Sequence, residues 1–199
     1  MILSVHPDLA GGRLTIDLSA LTDNWRYLAR LAGQAECAAV VKANAYGCGI
    51  EPVVEALASA GCKTFFVALP EEGVRVKKIA PDVRCFVLNG LFADAAPHYL
   101  AAGLTPILGS VPEIETWATL AKQQGSPLPC ALHMDSGMTR LGVSLRDLER
   151  VVSSQRLIDH LNVHLYMTHY ACADDVDHPK TEVQRENFLK GAALLPGVP

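Results

Sequence analysis

The string Val40-Val41-Lys42-Ala43-Asn44-Ala45-Tyr46-Gly47-Cys48-Gly49 decides how the rest of the chain is read. The apolar run over residues 37–41 reads as a buried strand, and it ends on a lysine. Taking an ammonium out of water is costly unless the group is paired, neutralised or covalently modified. Asn44, Tyr46, Gly47 and Gly49 follow at once and read as a loop holding polar groups near that amine. Taken alone, a lysine after two valines is most often a side chain snorkelling out of a strand end. The wider chain has to separate that reading from a chemical one.

Working outward, the chain repeats one unit. Residues 50–60 read as a helix stopped near Gly61, and residues 64–69 as a strand. Pro70 sits where a helix can start, with Glu71 and Glu72 favourable in its first turn. Residues 84–88 are the next strand and 93–102 the next helix. A short strand over 105–108 precedes a helix over 112–124, whose apolar face carries Ile114, Trp117, Leu120 and Ala121. Strands over 130–134 and 161–167 flank a helix over 145–153, and a helix over 181–195 closes the chain. Before the lysine lie a loose lead-in (residues 1–12), an alternating strand over 13–18 and a helix capped by Ser19 and ended by Gly33.

Strands alternating with helices across short turns imply parallel βαβ units. Counted from the Lys42 strand there are six, each followed by a helical stretch. The absence of G-x-G-x-x-G after the first strand argues against a dinucleotide-binding sheet. The fold expected is therefore an α/β, TIM-like (β/α)8 barrel over residues 13–199, incomplete after about six βα units. A full barrel takes eight strands and typically about 250 residues.

Composition excludes several classes. The 199 residues are 50% hydrophobic and 19% charged, as in ordinary globular proteins. No apolar run approaches the roughly 18 residues of a membrane span, and no basic segment leads an apolar core at the start. A formal net charge of -4 argues against broad nucleic-acid binding. The six cysteines are scattered without a C-x-x-C pair, so neither a disulfide framework nor a zinc site is expected, and a reducing cytoplasm is the default.

Three candidate groups share one address. Lys42, Arg140 and His169 each follow a strand, and parallel barrels open all their C-terminal strand ends onto one face. Arg140 lies in Leu132-His133-Met134-Asp135-Ser136-Gly137-Met138-Thr139-Arg140-Leu141-Gly142, where Gly137 permits a tight turn and the guanidinium fork suits a carboxylate or phenolate oxygen. His169 lies in Met167-Thr168-His169-Tyr170-Ala171-Cys172-Ala173-Asp174. Singly, a surface arginine and a satisfied core histidine are the commoner meanings. Together with a lysine they suit an anionic cofactor and a carboxylate substrate.

All three stretches, in this order, resemble the alanine racemases, as does Thr15-Ile16-Asp17-Leu18-Ser19-Ala20-Leu21. The resemblance implies a barrel that binds pyridoxal 5'-phosphate (PLP), with Lys42 its covalent attachment point and then a base toward alanine. It further implies Tyr46 at the cofactor phosphate, Arg140 at the substrate carboxylate and the cofactor ring oxygen, and His169 against the ring. Leu88 is expected to line the same pocket. The family also implies a homodimer and a second base, a tyrosine, from a C-terminal β-domain of the other subunit. This chain holds no such domain, so we expect it not to racemise alanine efficiently by itself. It departs from the pattern at Cys48, where the family has histidine, and at His133, where many members have a lysine that orients the arginine. A decarboxylase on the same barrel, a racemase for another amino acid and a non-catalytic PLP-binding barrel stay open as alternatives.

Overall fold

The computed structural model describes residues 11–195, 197 and 198. Its centre is one parallel sheet in the order β1-β2-β3-β4-β5-β6. The strands are β1 (Ala39–Val40), β2 (Thr64–Val67), β3 (Arg84–Val87), β4 (Thr105–Leu108), β5 (Leu128–His133) and β6 (Leu161–Met167). Each strand pairs with its successor, for example Phe65 with Cys85 and Ile107 with Ala131. An order that never reverses is that of a barrel wall, whereas a doubly wound sheet reverses at a switch point.

The helices are α1 (Leu18–Leu31), the one-turn α2 (Lys42–Tyr46), α3 (Ile50–Ser59), α4 (Pro70–Ile79), α5 (Ala96–Ala102), α6 (Val111–Gln124), α7 (Leu145–Ser153), α8 (Gln155–Ile158) and α9 (Pro179–Ala192). Local chemistry fixes most boundaries. Ser110 and Ser144 accept backbone N–H groups in the first turns of α6 and α7, and Gly125 ends α6 at a φ of 76°.

Two apolar layers follow from strand alternation. One face of the sheet packs on the helices through Phe65, Cys85, Leu108, Cys130 and Leu132, against Val54, Ile114, Trp117 and Leu148. Fully burying such a side chain contributes about 1.5–3 kcal/mol. The opposite face points into the barrel, where Phe86, Ile107 and Ala131 meet Phe66, Leu88, Leu165 and Met167. The Phe66 and Phe86 rings stack at 5.2 Å. This inner cluster forms the floor beneath the strand ends.

The structure corrects four local expectations. Residues 13–17 form no strand, because their alternation meets no neighbouring strand among the described residues, and Leu14 is 81% exposed. Asp17, not Ser19, caps α1, since its carboxylate accepts the N–H groups of Ser19 and Ala20 and also the Ser19 hydroxyl. The expected buried strand over 37–41 shortens to Ala39–Val40, with Val41 buried and Val40 45% exposed on the sheet edge. The helix expected over 93–102 divides into a 3-10 turn (Ala93–Ala95) and α5. Most of the lead-in lies outside the described residues, as do Pro196 and Pro199.

Candidate active site at the strand ends

Val41 donates its N–H to Phe66 O at 2.9 Å, and the chain then changes hand. Ala43, Asn44, Ala45 and Tyr46 have φ of 52°, 55°, 54° and 54°, which is a left-handed turn built without glycine. Such a conformation costs an L-residue roughly 1–2 kcal/mol at each position. Tertiary contacts hold it. Glu72 Oε1 accepts the Ala43 N–H at 2.6 Å, and Asn44 Oδ1 accepts from Ile50 N at 3.1 Å and from Arg75 at 2.9 Å. Arg75 is itself paired with Glu51. Gly47, at a φ of 86°, closes the turn. Where the sequence reads as an open loop, the chain is a clamped reverse turn that sets the Lys42 ammonium 6.0 Å from the Tyr46 ring centroid.

Arg140 is delivered by a loop that folds back on its own strand. Val143 N donates to His133 O at 2.8 Å and Asp135 N to Val143 O at 2.9 Å, pinching the loop shut. Inside it Asp135 Oδ1 accepts from Gly137 N and Thr139 N at 3.0 and 2.9 Å. Gly142 is required at the pinch. Its φ is 108°, and a Cβ there would stand 2.5 Å from Asp135 N and 2.7 Å from the Met134 carbonyl carbon.

His169 follows β6 and is tied to the Arg140 loop through a polar relay. Thr168 donates to Met134 O at 2.8 Å, so the Ser136 hydroxyl donates to Thr168, also at 2.8 Å. Gln184 on α9, fully buried, donates to Ser136 Oγ and His169 O at 3.0 Å each and accepts from Ala171 N at 2.9 Å.

These elements enclose a cavity of about 420 Å³. Lys42, Tyr46, Leu88, Arg140 and His169 all line it, so the five residues singled out from sequence come together at one place. Sequence reasoning missed Phe66, Asn89 and Met167, apolar or amide residues at strand ends that carry no chemical signal of their own. It read Glu72 only as a favourable charge at a helix start, although a glutamate at that position is also the pattern of a side chain that reaches back to the preceding backbone.

The electrostatics have one sign. No Asp or Glu lines the cavity, and among the described residues neither Lys42 nor Arg140 has a carboxylate within salt-bridge distance. Burial, then the Arg140 and Lys42 charges, hold the His169 imidazole below its ordinary value. Burial, His169 and Arg140 do the same to His133, with Asp135 opposing. Near neutral pH both rings are thereby biased to the uncharged form, leaving Lys42 and Arg140 as fixed positive charges facing an open space. A cavity so built suits an anion.

Fold and site together define an α/β-barrel protein with a cationic, amine-bearing pocket at the C-terminal ends of its strands. Comparison with known proteins agrees. The chain belongs to the family described as "Alanine racemase, N-terminal domain", whose model matches residues 16–199. It is 44% identical over 195 residues to the alanine racemase of Rhodospirillum rubrum, covering 97% of this chain and 52% of that protein. It is 41% identical over 193 residues to a catabolic alanine racemase of Mesorhizobium japonicum, covering 96% and 50%. The solved alanine racemase of Bartonella henselae with covalently bound pyridoxal phosphate superposes with a TM-score of 0.87 at 34% identity, covering 92% of this chain and 51% of that one. The chain thus spans about half the length of the relatives it matches.

Proposed function

We propose that this chain is the cofactor-holding barrel of an alanine racemase, acting with PLP to interconvert L- and D-alanine. The observation that carries the reading is the gathering of Lys42, Tyr46, Arg140 and His169 around one cavity without a carboxylate. The donor set fits the group. An amine can join its aldehyde, a tyrosine hydroxyl and an arginine fork can meet its anionic oxygens, and a flat imidazole and Leu88 can border its ring. When bound, PLP supplies that aldehyde and an electron-withdrawing ring for the charge left when a Cα proton departs.

The residues then divide the work. Arg140 takes the alanine carboxylate in its fork and fixes the orientation of Cα. The Lys42 amine, once free, accepts the Cα proton on one face and returns one there in the reverse direction. Tyr46 would offer its hydroxyl to the phosphate, and His169 would border the ring. Burial biases the His133 imidazole toward its uncharged form, and no carboxylate of the described residues pairs with Arg140, so the guanidinium fork is left for ligands. Inversion needs a second proton carrier on the opposite face of Cα. We assign it to the portion of the relatives that this chain does not span, supplied across a homodimer. A cytoplasmic enzyme providing or consuming D-alanine is the corresponding cellular reading, without nucleic-acid or membrane partners. No helix among the described residues is long and apolar enough to cross a membrane.

Borohydride reduction of the chain with PLP, followed by peptide mass spectrometry, tests the reading. A pyridoxyl adduct concentrated on Lys42 and lost in Lys42→Ala supports it. Adduct spread evenly over Lys63, Lys77, Lys122 and other lysines overturns it. Alanine racemisation assayed beside lysine and ornithine decarboxylation, on a chain extended to the relatives' length, tests the choice of reaction.

A further inference from the structure

We propose that Glu72 is a positioning residue for Lys42, holding the left-handed turn that aims the amine; this rests on Lys42 being the working amine of the site. Glu72 lies in the first turn of α4 and is 7% exposed. One carboxylate oxygen accepts from Ala68 N and Leu69 N at 2.9 and 3.1 Å, which satisfies the backbone entering its own helix. Helix capping needs nothing more. The other oxygen crosses to the neighbouring loop and takes the Ala43 N–H at 2.6 Å. That amide is the next one after Lys42, and no other acceptor meets it among the described residues. Without Glu72 the strained turn begins on an unpaired N–H, and nothing at its first residue opposes relaxation to the right-handed form.

The comparison that gives this weight lies in the same sheet. Glu113, in the first turn of α6, accepts from Leu91 N, Gly109 N and the Ser110 hydroxyl, each at 2.9 Å, and so ties the loop after β3 to the loop after β4. Gln184 ties the loops after β5 and β6. Glu72 ties those after β1 and β2. Six strand ends are thus clasped in three pairs by one device, and a structural role is common to all three. Glu72 differs in bonding the backbone beside Lys42. Glu113 holds loops that border Leu88, Asn89 and the Arg140 loop but bonds nothing beside Lys42, so it controls for the release of a strand-end loop as such.

The test compares Glu72→Gln with Glu113→Gln. An amide of nearly equal volume has one acceptor oxygen, so each variant keeps one loop and releases the other. The first readout needs no cofactor. It is the NMR titration of the His169 ring, which burial and then the Arg140 and Lys42 charges hold down. Its other close titratable neighbour is His133. If Lys42 swings away in Glu72→Gln, the His169 titration moves up by about 0.3 pH unit or more, toward the value in Lys42→Gln, and stays put in Glu113→Gln. The second readout is reducible PLP adduct at Lys42, expected at least fivefold lower in Glu72→Gln and within twofold of the parent in Glu113→Gln. Equal changes in the two variants, or an unmoved His169 titration in Glu72→Gln, overturn the proposal. If the parent chain forms no Lys42 adduct, the cofactor reading fails on its own, and the His169 titration still decides the positioning role. Should Glu72→Gln not fold, Glu72→Asp, whose shorter carboxylate cannot span both loops, takes its place under the same criteria.

Discussion

Replacing Ala43 by glycine separates a left-handed turn from an ordinary helical one by the sign of its effect. In a right-handed helix the change is destabilising. Exposed Glu55 in α3 is the matched case, and Glu55→Gly is expected to cost about 0.5–1 kcal/mol. Ala43 sits at φ 52° and ψ 50° with its methyl exposed, so glycine removes no buried contact there. It relieves roughly 1–2 kcal/mol of left-handed strain. The extra freedom of the unfolded glycine takes back about 0.5–1 kcal/mol. The net is a stabilisation of about 1 kcal/mol, which raises a urea midpoint by roughly 0.5 M for a typical slope. Ala43→Val, β-branched in the same conformation, should lower the midpoint instead. Despite its greater stability, Ala43→Gly should form less Lys42 adduct, because the residue after the lysine no longer resists other conformations. If Ala43→Gly lowers the midpoint as much as Glu55→Gly does, the turn is not left-handed in solution and the account of how Lys42 is aimed is wrong.

Three further outcomes are expected. Gly142→Ala combines a φ of 108° with a Cβ 2.5 Å from Asp135 N, and should cost about 2–4 kcal/mol by urea denaturation while weakening any carboxylate bound at Arg140. The imidazoles of His133 and His169 are held below their ordinary value of 6.5, so the unfolded chain binds those protons more readily. Stability is therefore full above about pH 6.5 and falls as the pH drops through that value toward the folded ones. Urea midpoints at pH 7.5 and 5.5 should show the fall, and His133→Asn should remove part of it. The lowered carboxylates, Asp17, Glu36, Glu51 and Glu182, act only at lower pH and do not obscure this window. Burial pushes the Cys85 and Cys130 thiols up to about 12, so a thiol reagent at pH 8 should label the part-exposed Cys37, Cys48 and Cys172 first. Early loss of Cys85 to the reagent would contradict the packing of α4 on β3.

How much of this was legible in the sequence depends on how far away the deciding partner lies. The helix starts at Pro70 and Leu145 and the strand at Leu161–Met167 are local matters of turn residues and apolar runs, and they read correctly. The address of Lys42, Arg140 and His169 followed from strand order, because a parallel barrel brings every C-terminal strand end to one rim. The alternation over residues 13–18 read as a strand because pattern alone cannot say whether a neighbour exists to accept its hydrogen bonds. The turn at Ala43-Asn44-Ala45-Tyr46 was illegible for a stronger reason. No glycine marks its positive φ values, and the groups that hold it are Glu72 and Arg75, on a helix beyond the next strand. Its conformation is thus a property of the docked α4 and not of the motif. It follows that the Lys42 site cannot be more ordered than the packing of α4 against β2 and β3. Any opening that lifts this helix releases the Ala43 N–H and the Asn44 side chain together, and the amine loses its aim before the sheet itself comes apart.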